Sequence, residues 1–468
     1  MPTQLPEEFL LSLESLPGYD AAAFAAVHTS GEQVTSIRLN PAKLPNILPD
    51  DDDAGSFLLK AGLHSESFVP WSSYGYYLGP RPFFTYDPLL HAGVYYVQEA
   101  SSMFLEQALR QTADLGRPLR VLDLCAAPGG KSTLLQSLLS PDSLLVSNEV
   151  IRNRVSVLRE NSIKWGGANT IITSNDPQDF SLLENYFDVL VVDAPCSGSG
   201  LFRREPEAIA EWSPANVQLC SQRQQRILAD CWPALRQDGI LIYSTCSYSQ
   251  EEDEAILDWL TTGLDAETCR LQLKPEWNIV ETQGKDGAWG YRFYPDRLKG
   301  EGFFIACLRK TGGDTFKPPR KTNAPERPSK KDLELLRPYI RQDIPLFFFR
   351  HQEQVHALPE TLAAALPILQ SVCYLKTAGV TLGTPTPKEF IPDHHLAMST
   401  LIAPQLPAIG LTIEEALHYL RKEELHPDTT HRGWSLVRYA GHNLGWIKVL
   451  PNRSNNYYPK EWRILKRE

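Results

Sequence analysis

The chain has no apolar run long enough to cross a bilayer, no Cys-x-x-Cys pair and no excess of positive charge. The first absence argues against a protein held by membrane-spanning helices. The opening Met1-Pro2-Thr3-Gln4-Leu5-Pro6-Glu7-Glu8 also lacks the basic and apolar regions of a signal peptide, so an uncleaved cytoplasmic protein without membrane contact is expected. Eight cysteines in 468 residues, none closely paired, argue against a disulfide framework and a cysteine-rich zinc site and suit a reducing compartment. A formal charge of −10 excludes a protein that coats nucleic acid indiscriminately, because phosphate binding depends on Lys and Arg. Any nucleic-acid contact must be local. His394-His395 could suggest a metal site, but no acid or cysteine cluster accompanies it, and no metal is expected. Repeats at solenoid spacing are absent.

With 42% hydrophobic and 22% charged residues, the composition is globular, and the length suggests two to four domains. Short apolar runs alternate with helix-like stretches: Leu119–Asp123, Ser143–Ser147, Asp188–Val192 and Gly239–Tyr243. Such near-continuous runs indicate strands buried on both faces of a parallel sheet, an α/β core. Between Lys310 and Lys331, prolines and Gly312-Gly313 interrupt a basic stretch that reads as a linker. Beyond it, Leu333–Leu369 looks largely helical, and Trp434–Leu450 breaks into short strands of a small β-rich domain. The expected division is 1–115, a core over 116–309, a linker over 310–331, an α+β domain over 332–405 and a last domain over 406–468. A fragment ending before Lys310 is expected to keep the core's binding function.

In parallel sheets ligands collect at the carboxyl ends of strands, where Asp123, Glu149, Asp193 and Cys246 fall. Cys125-Ala126-Ala127-Pro128-Gly129-Gly130-Lys131-Ser132 invites a P-loop reading, which fails because Cys125 stands where glycine is needed and Pro128 removes a backbone donor. The alternative is a strand-to-helix turn whose glycines admit a cofactor. Glu149 then suits ribose hydroxyls and Asp176 an adenine amino group, a pair that fits S-adenosylmethionine. Asp193-Ala194-Pro195-Cys196-Ser197-Gly198 and Ser244-Thr245-Cys246-Ser247 place two thiols at strand ends about fifty residues apart. Together with a sulfonium cofactor, this is the pattern of pyrimidine C5 alkylation. A thiolate adds to C6 and makes C5 nucleophilic, and a second thiol helps undo the adduct. A free thiol has a pKa of about 8.5, so a neighbouring cation must favour the anion, and Lys131 is one candidate. Asp193 is placed to hydrogen-bond N3 or the N4 amino group of the base. Cys220 and Cys231, in a helical stretch, are expected to be structural.

With these residues in view, the chain resembles the Sun/Nop family of RNA cytosine-5 methyltransferases, and in particular its bacterial RsmF-type members, which act on small-subunit ribosomal RNA. Beyond the motifs already described, the likeness includes Ser36–Asn40 and Gly93–Met103 before the core and Gly300–Phe304 closing it. The resemblance implies a Rossmann-like class I methyltransferase core, with an N-terminal α/β extension that binds RNA and a C-terminal α+β region ending in a PUA-like RNA-binding domain. It implies that Cys246 is the nucleophile and Cys196 assists release, with Asp193 and Lys131 completing the catalytic set. Cofactor contacts carry over to Cys125, Ala126, Ala127, Pro128, Gly129, Gly130, Lys131, Glu149, Asp176 and Asp193. The implied partner is 16S ribosomal RNA in the 30S subunit or its precursor, bound by a monomer, with no DNA.

Gly379–Gly383, Pro392–Ala397, Gly445–Lys448 and Asn456–Lys460 carry the likeness in the tail. The mixture of Trp434, Arg438, Tyr439, Trp446, Lys448, Arg453, Tyr457 and Arg463 suits RNA, since planar side chains stack on bases while cations meet phosphate. A second possible RNA surface lies around Arg38 and Asn40. Three rivals remain: an enzyme acting on tRNA or another rRNA site, a silent assembly factor, and a DNA cytosine methyltransferase, which would use Cys196 as nucleophile. The presence of both cysteines disfavours the last.

Overall fold

The computed structural model describes residues 5–44, 52–319 and 321–466. At its centre, parallel strands Thr170–Thr173, Leu144–Asn148, Arg120–Asp123, Phe187–Asp193 and Leu235–Thr245 lie side by side in that order. Alternate residues enter different cores: Leu122, Val146, Leu190 and Leu241 join one apolar cluster, while Val121, Leu145, Val189 and Ile240 join another. Both faces of the sheet are therefore buried, which explains the continuous apolar runs. Antiparallel strands Phe303–Lys310, Trp289–Phe293 and Val280–Gln283 extend one edge.

The other edge is completed from far downstream. Leu375–Ala378 pairs antiparallel with Thr170–Thr173, making a ten-stranded sheet. Phe349, Leu358, Leu366 and Leu369 belong to the same apolar cluster as the sheet's Leu122 and Leu190. The region after the linker is thus built into the core, contrary to the expectation that all the sheet's strands lie upstream of Lys310. The described residues between Lys310 and Lys330 form no helix or strand, yet Phe316 packs edge-on against Tyr186 at 4.8 Å between ring centres.

The expected helical stretch Leu333–Leu369 is also different. Helices cover Lys330–Leu336 and Ala365–Val372, but Leu346–His351 and Gln354–Pro359 form an antiparallel hairpin. The aromatic run Leu346-Phe347-Phe348-Phe349 alternates between more and less buried positions, the period of a strand, and Gln352 turns the chain with φ of 55°. This hairpin continues through Val380–Pro385 and Phe390–Pro392 into a four-stranded sheet.

At the N-terminus, two short helices precede a four-stranded antiparallel sheet formed by Ser65–Phe68, Gly75–Leu78, Thr35–Leu39 and Tyr95–Val97. The last domain is built on a third four-stranded sheet, Ala408–Gly410, Gly433–Tyr439, His442–Val449 and Ser454–Asn456. The two ends of the chain share one core: Ile37, Leu39, Leu78 and Tyr95 cluster with Tyr419, Leu420, Val437, Leu444 and Ile447.

Arg38 and Asn40 are not an RNA surface. Arg38 is buried, donates to Gln98 Oε1 (2.9 Å), Gly130 O (3.2 Å) and Thr133 Oγ1 (2.7 Å), and stacks over Trp165. Asn40 donates to the carbonyls of Gly93 and Trp165, each at 2.9 Å. Both residues fasten the N-terminal sheet to the core, which accounts for their burial despite their polarity.

The tail's aromatic and basic set is likewise partly internal. Trp446 is fully buried with its ring N–H on Asp393 O, and Trp434 is buried with its ring N–H on Glu389. Lys448 is paired with Glu389 at 2.6 Å, and Arg438 donates to Asn443. Arg453, Arg463 and Tyr457 stay exposed.

Candidate active site

The turn after Arg120–Asp123 leads into the helix Gly130–Leu138. Gly129 has φ of 116°, which L side chains rarely adopt, and a Cβ there would lie 3.3 Å from Asn161. A Cβ on Gly130 would meet the Tyr96 ring at 3.2 Å. Gly129 is thus required by its backbone conformation, while a side chain at Gly130 would crowd the Tyr96 ring. Arg154 ties the turn down by donating to Ala127 O at 2.6 Å, and Asn161 does so through Pro128 O at 2.8 Å. Asn148 donates to the carbonyls of both Leu124 and Asn175, linking the loops that follow neighbouring strands.

Carboxylates surround this turn. Asp123 is fully buried and accepts from Ser132 at 2.6 Å, and burial pushes its carboxyl up to about 7. Its other oxygen has no partner among the described residues. Glu149 is buried and accepts from Ile151 N at 2.8 Å, with Arg154 3.6 Å away. Beside it, Val150 and Ile151 are exposed apolar side chains. Asp176 is exposed at the following strand end, where it accepts from Gln178 N. Cys125 lies in the field of Asp123, Asp193 and Glu149; burial, first, and these charges push its thiol well above the usual range. It therefore stays protonated and is a poor nucleophile.

The two thiols predicted to work together are in contact. Cys196 Sγ lies 3.0 Å from Cys246 Sγ, and both cysteines are free. The strand register makes this possible: Asp193 pairs with Ser244, so the loops leaving these strands run side by side. Gly200 N donates to Cys246 O at 2.8 Å, and a Cβ on Gly200 would come within 2.4 Å of Gly302 O, so the backbones touch directly. Lys131 Nζ is 2.7 Å from Asp193 Oδ2, while Asp193 Oδ1 accepts from Ser244 at 2.8 Å. Burial opposes the charge on Lys131, but the adjacent Asp193 outweighs it and holds the ammonium above its usual range. The Cys196 thiol is held well above its ordinary value by its contact with Cys246, then by burial and the charge of Glu252. Cys196 thus stays protonated. Cys220 and Cys231 are buried in the helix Pro214–Cys231.

Sequence reasoning missed the acids behind the thiols. Glu252 is fully buried and accepts from Ser197 N (2.8 Å), Ser197 Oγ (2.5 Å), Ser247 Oγ (2.6 Å) and Gln224 Nε2 (3.1 Å). Asp253 accepts from Thr245 Oγ1 at 2.7 Å, and Arg292 bridges Asp253 and Glu254. The signal was four successive acids, Glu251 to Glu254, shortly after Ser244-Thr245-Cys246-Ser247; a run of that kind ordinarily marks a solvated helix start. Among the described residues no group of three His, Cys, Asp or Glu side chains converges as a metal site.

Residues 114–309 match the family described as 16S rRNA methyltransferase RsmB/F. Residues 5–100 match the N-terminal domain of 16S rRNA methyltransferase RsmF, and residues 407–464 the methyltransferase RsmF PUA domain. The ribosomal RNA small subunit methyltransferase F of Aliivibrio fischeri (strain MJ11) is 30% identical over 383 residues, 79% of each chain. Its namesake in Escherichia coli (strain K12) is 30% identical over 385 residues, 79% of this chain and 78% of that one. Among solved structures, a methyltransferase homolog protein from Pyrococcus horikoshii is 29% identical with a TM-score of 0.51, covering 65% of this chain and 100% of that one. The NSun6 of Pyrococcus horikoshii, solved with SFG, shares the fold at 19% identity and a TM-score of 0.55, covering 67% of this chain and 100% of that one.

Proposed function

Because the chain belongs to the family of the ribosomal RNA small subunit methyltransferases F, we propose that it methylates carbon-5 of a cytosine in 16S ribosomal RNA through a covalent Cys246 adduct. The observation that carries this reading is the pair of sulfurs, 3.0 Å apart at the carboxyl edge of the sheet, beside the Lys131–Asp193 ion pair.

S-adenosylmethionine, when bound, supplies the methyl group as an electrophile on a sulfonium. The residues at this edge fit it. Glu149 offers a carboxylate for ribose hydroxyls, Val150 and Ile151 an apolar surface for adenine, and Asp176 an acceptor at the mouth. The unpartnered oxygen of Asp123 adds a buried acceptor.

Toward the base, the Cys246 thiolate bonds to C6, and the electrons of the C5–C6 double bond make C5 the nucleophile. Lys131 supplies the positive charge that favours the thiolate. Asp193, already receiving donors from Lys131 and Ser244, acts as an acceptor for the N4 amino group and orients the ring. Once C5 has taken the methyl group and S-adenosylhomocysteine has left, solvent takes the C5 proton, the electrons of that C–H bond restore the double bond, and Cys246 leaves with its bonding pair, stabilised by the S–H of Cys196 in contact with it.

RNA capture is assigned to the last domain through Arg453, Arg463 and Tyr457, and the substrate to the 30S particle or its precursor, met by a monomer in the cytoplasm.

The test is methyl transfer from labelled S-adenosylmethionine to naked 16S rRNA, 30S particles and tRNA in parallel, with the product nucleoside identified by mass spectrometry. The expected result is 5-methylcytosine in the small-subunit RNA. Label confined to tRNA, or to another nucleoside, overturns the reading. For the cofactor, Glu149→Ala is expected to weaken S-adenosylmethionine binding by about 10- to 150-fold, as hydrogen bonds to a charged acceptor are worth about 1.5–3 kcal/mol. Calorimetry showing unchanged affinity would remove Glu149 from the cofactor site.

A further inference from the structure

We propose that Glu252 is the positioning residue of the thiol pair: its carboxylate binds the serine that follows each cysteine and so holds Cys196 and Cys246 within reach of one base. The proposal rests on the reading of Cys246 as nucleophile. Oε1 takes the backbone N–H of Ser197 and the Gln224 amide, while Oε2 takes the hydroxyls of Ser197 and Ser247. One side chain therefore spans both Cys-Ser turns, which come from strands fifty residues apart in sequence. The clamp is braced from behind. Tyr243 O–H reaches Glu252 O at 2.6 Å and Gln224 Oε1 at 3.0 Å, and Gln224 donates to Pro195 O, one residue before Cys196.

The Ser197 N–H and the Gln224 amide donate to the carboxylate, and the two serine hydroxyls are free to do so, which suits the anion against the burial that pushes the carboxyl above its usual range. The nearby cation Arg292 is taken by Asp253 and Glu254, and among the described residues Glu252 has hydrogen bonds and no ion pair. A buried charge of that kind is costly, and an amide of the same shape would fill the same space. What the amide would not supply is negative charge beside Cys196. That charge, with burial and the contact with Cys246, disfavours a thiolate at Cys196. Glu252 thus places the two turns and sets its charge beside Cys196.

The two effects separate in the full-length chain. Glu252→Gln keeps an acceptor for Ser197 N–H and lets the serine hydroxyls rotate to accept, so the geometry survives while the charge is lost. Glu252→Ala removes both. Proximity is read from the rate at which diamide, taking up the two thiol hydrogens, joins Cys196 to Cys246, quantified by peptide mass spectrometry. Charge is read from the pH profile of Cys196 alkylation by iodoacetamide.

The expected result is a disulfide rate within about threefold of wild type for Glu252→Gln, with the Cys196 profile moved to lower pH. For Glu252→Ala, disulfide formation slows at least about tenfold, and kcat falls about 100-fold with the KM for S-adenosylmethionine unchanged, the loss typical of a misplaced reacting group. Wild-type disulfide rates in Glu252→Ala, or an unmoved Cys196 profile in Glu252→Gln, overturn the proposal. The glutamine variant carries the test if the alanine variant does not fold. Neither thiol readout needs RNA, so failure of the methylation reading would show separately, as wild-type protein that modifies no cytosine.

Discussion

Cys246→Ala is expected to abolish methyl transfer, by at least about a thousandfold, while S-adenosylmethionine affinity stays within a few-fold, because the thiol acts on the base and not on the donor. Cys196→Ala is expected to do something different: a covalent protein–RNA species should build up, because the protonated sulfur that contacts Cys246 has gone. Denaturing gels would show the species, and peptide mass spectrometry should place the attachment on Cys246. Turnover retained in Cys246→Ala, or an adduct carried by Cys196, would reverse the two roles. The distinction is sharp because neither Cys125, held as a thiol among Asp123, Asp193 and Glu149, nor the buried Cys220 and Cys231 can stand in.

Cutting the chain before Lys310 is expected to destroy the fold rather than release a working core. The fragment would lose Leu375–Ala378, the strand that closes the sheet beyond Thr170–Thr173, together with Phe349, Leu358, Leu366 and Leu369 from the central cluster. Each such side chain contributes about 1.5–3 kcal/mol by burial, and their sum is comparable with the 5–15 kcal/mol that keeps an ordinary domain folded. The unpaired strand edge left behind favours aggregation. Circular dichroism and thermal melting of residues 1–309 should show no cooperative transition, and the fragment should not bind S-adenosylmethionine. A soluble fragment that melts cooperatively and binds the cofactor would contradict this.

The parallel strands, the strand-to-helix turn and the two cysteine-bearing loops were legible because each is a local pattern: a run of apolar residues, then a turn, then a side chain with chemistry. What was not legible depends on register and on distant partners. Nothing in Leu375-Lys376-Thr377-Ala378 announces that it pairs with Thr170–Thr173. The burial of Arg38 depends on Thr133 and Gln98, and that of Trp446 on a carbonyl at Asp393, none of which is near in sequence. Glu252 shows the same limit within the site. Its neighbours in sequence suggest a hydrated acidic stretch, and its role emerges only when Asp193 and Ser244 come into register and bring Ser197 and Ser247 to one point. The hairpin at Leu346–Pro359 was misread for another reason: leucine and phenylalanine suit helix and strand alike, and the choice was made by which alternate positions found a core.

The core shared by the two ends of the chain sets a timetable for synthesis. Ile37, Leu39, Leu78 and Tyr95 leave the ribosome early, but Tyr419 and Leu420, against which they pack, follow roughly 320 residues later, on the order of 15 to 65 seconds at ordinary elongation rates. Until then the first sheet presents an uncovered apolar face, open to chaperones and to other nascent chains. The enzyme cannot mature one domain at a time; a sheet made early is completed by a sheet made much later, so a ribosome that stalls between the two leaves the earlier one uncovered.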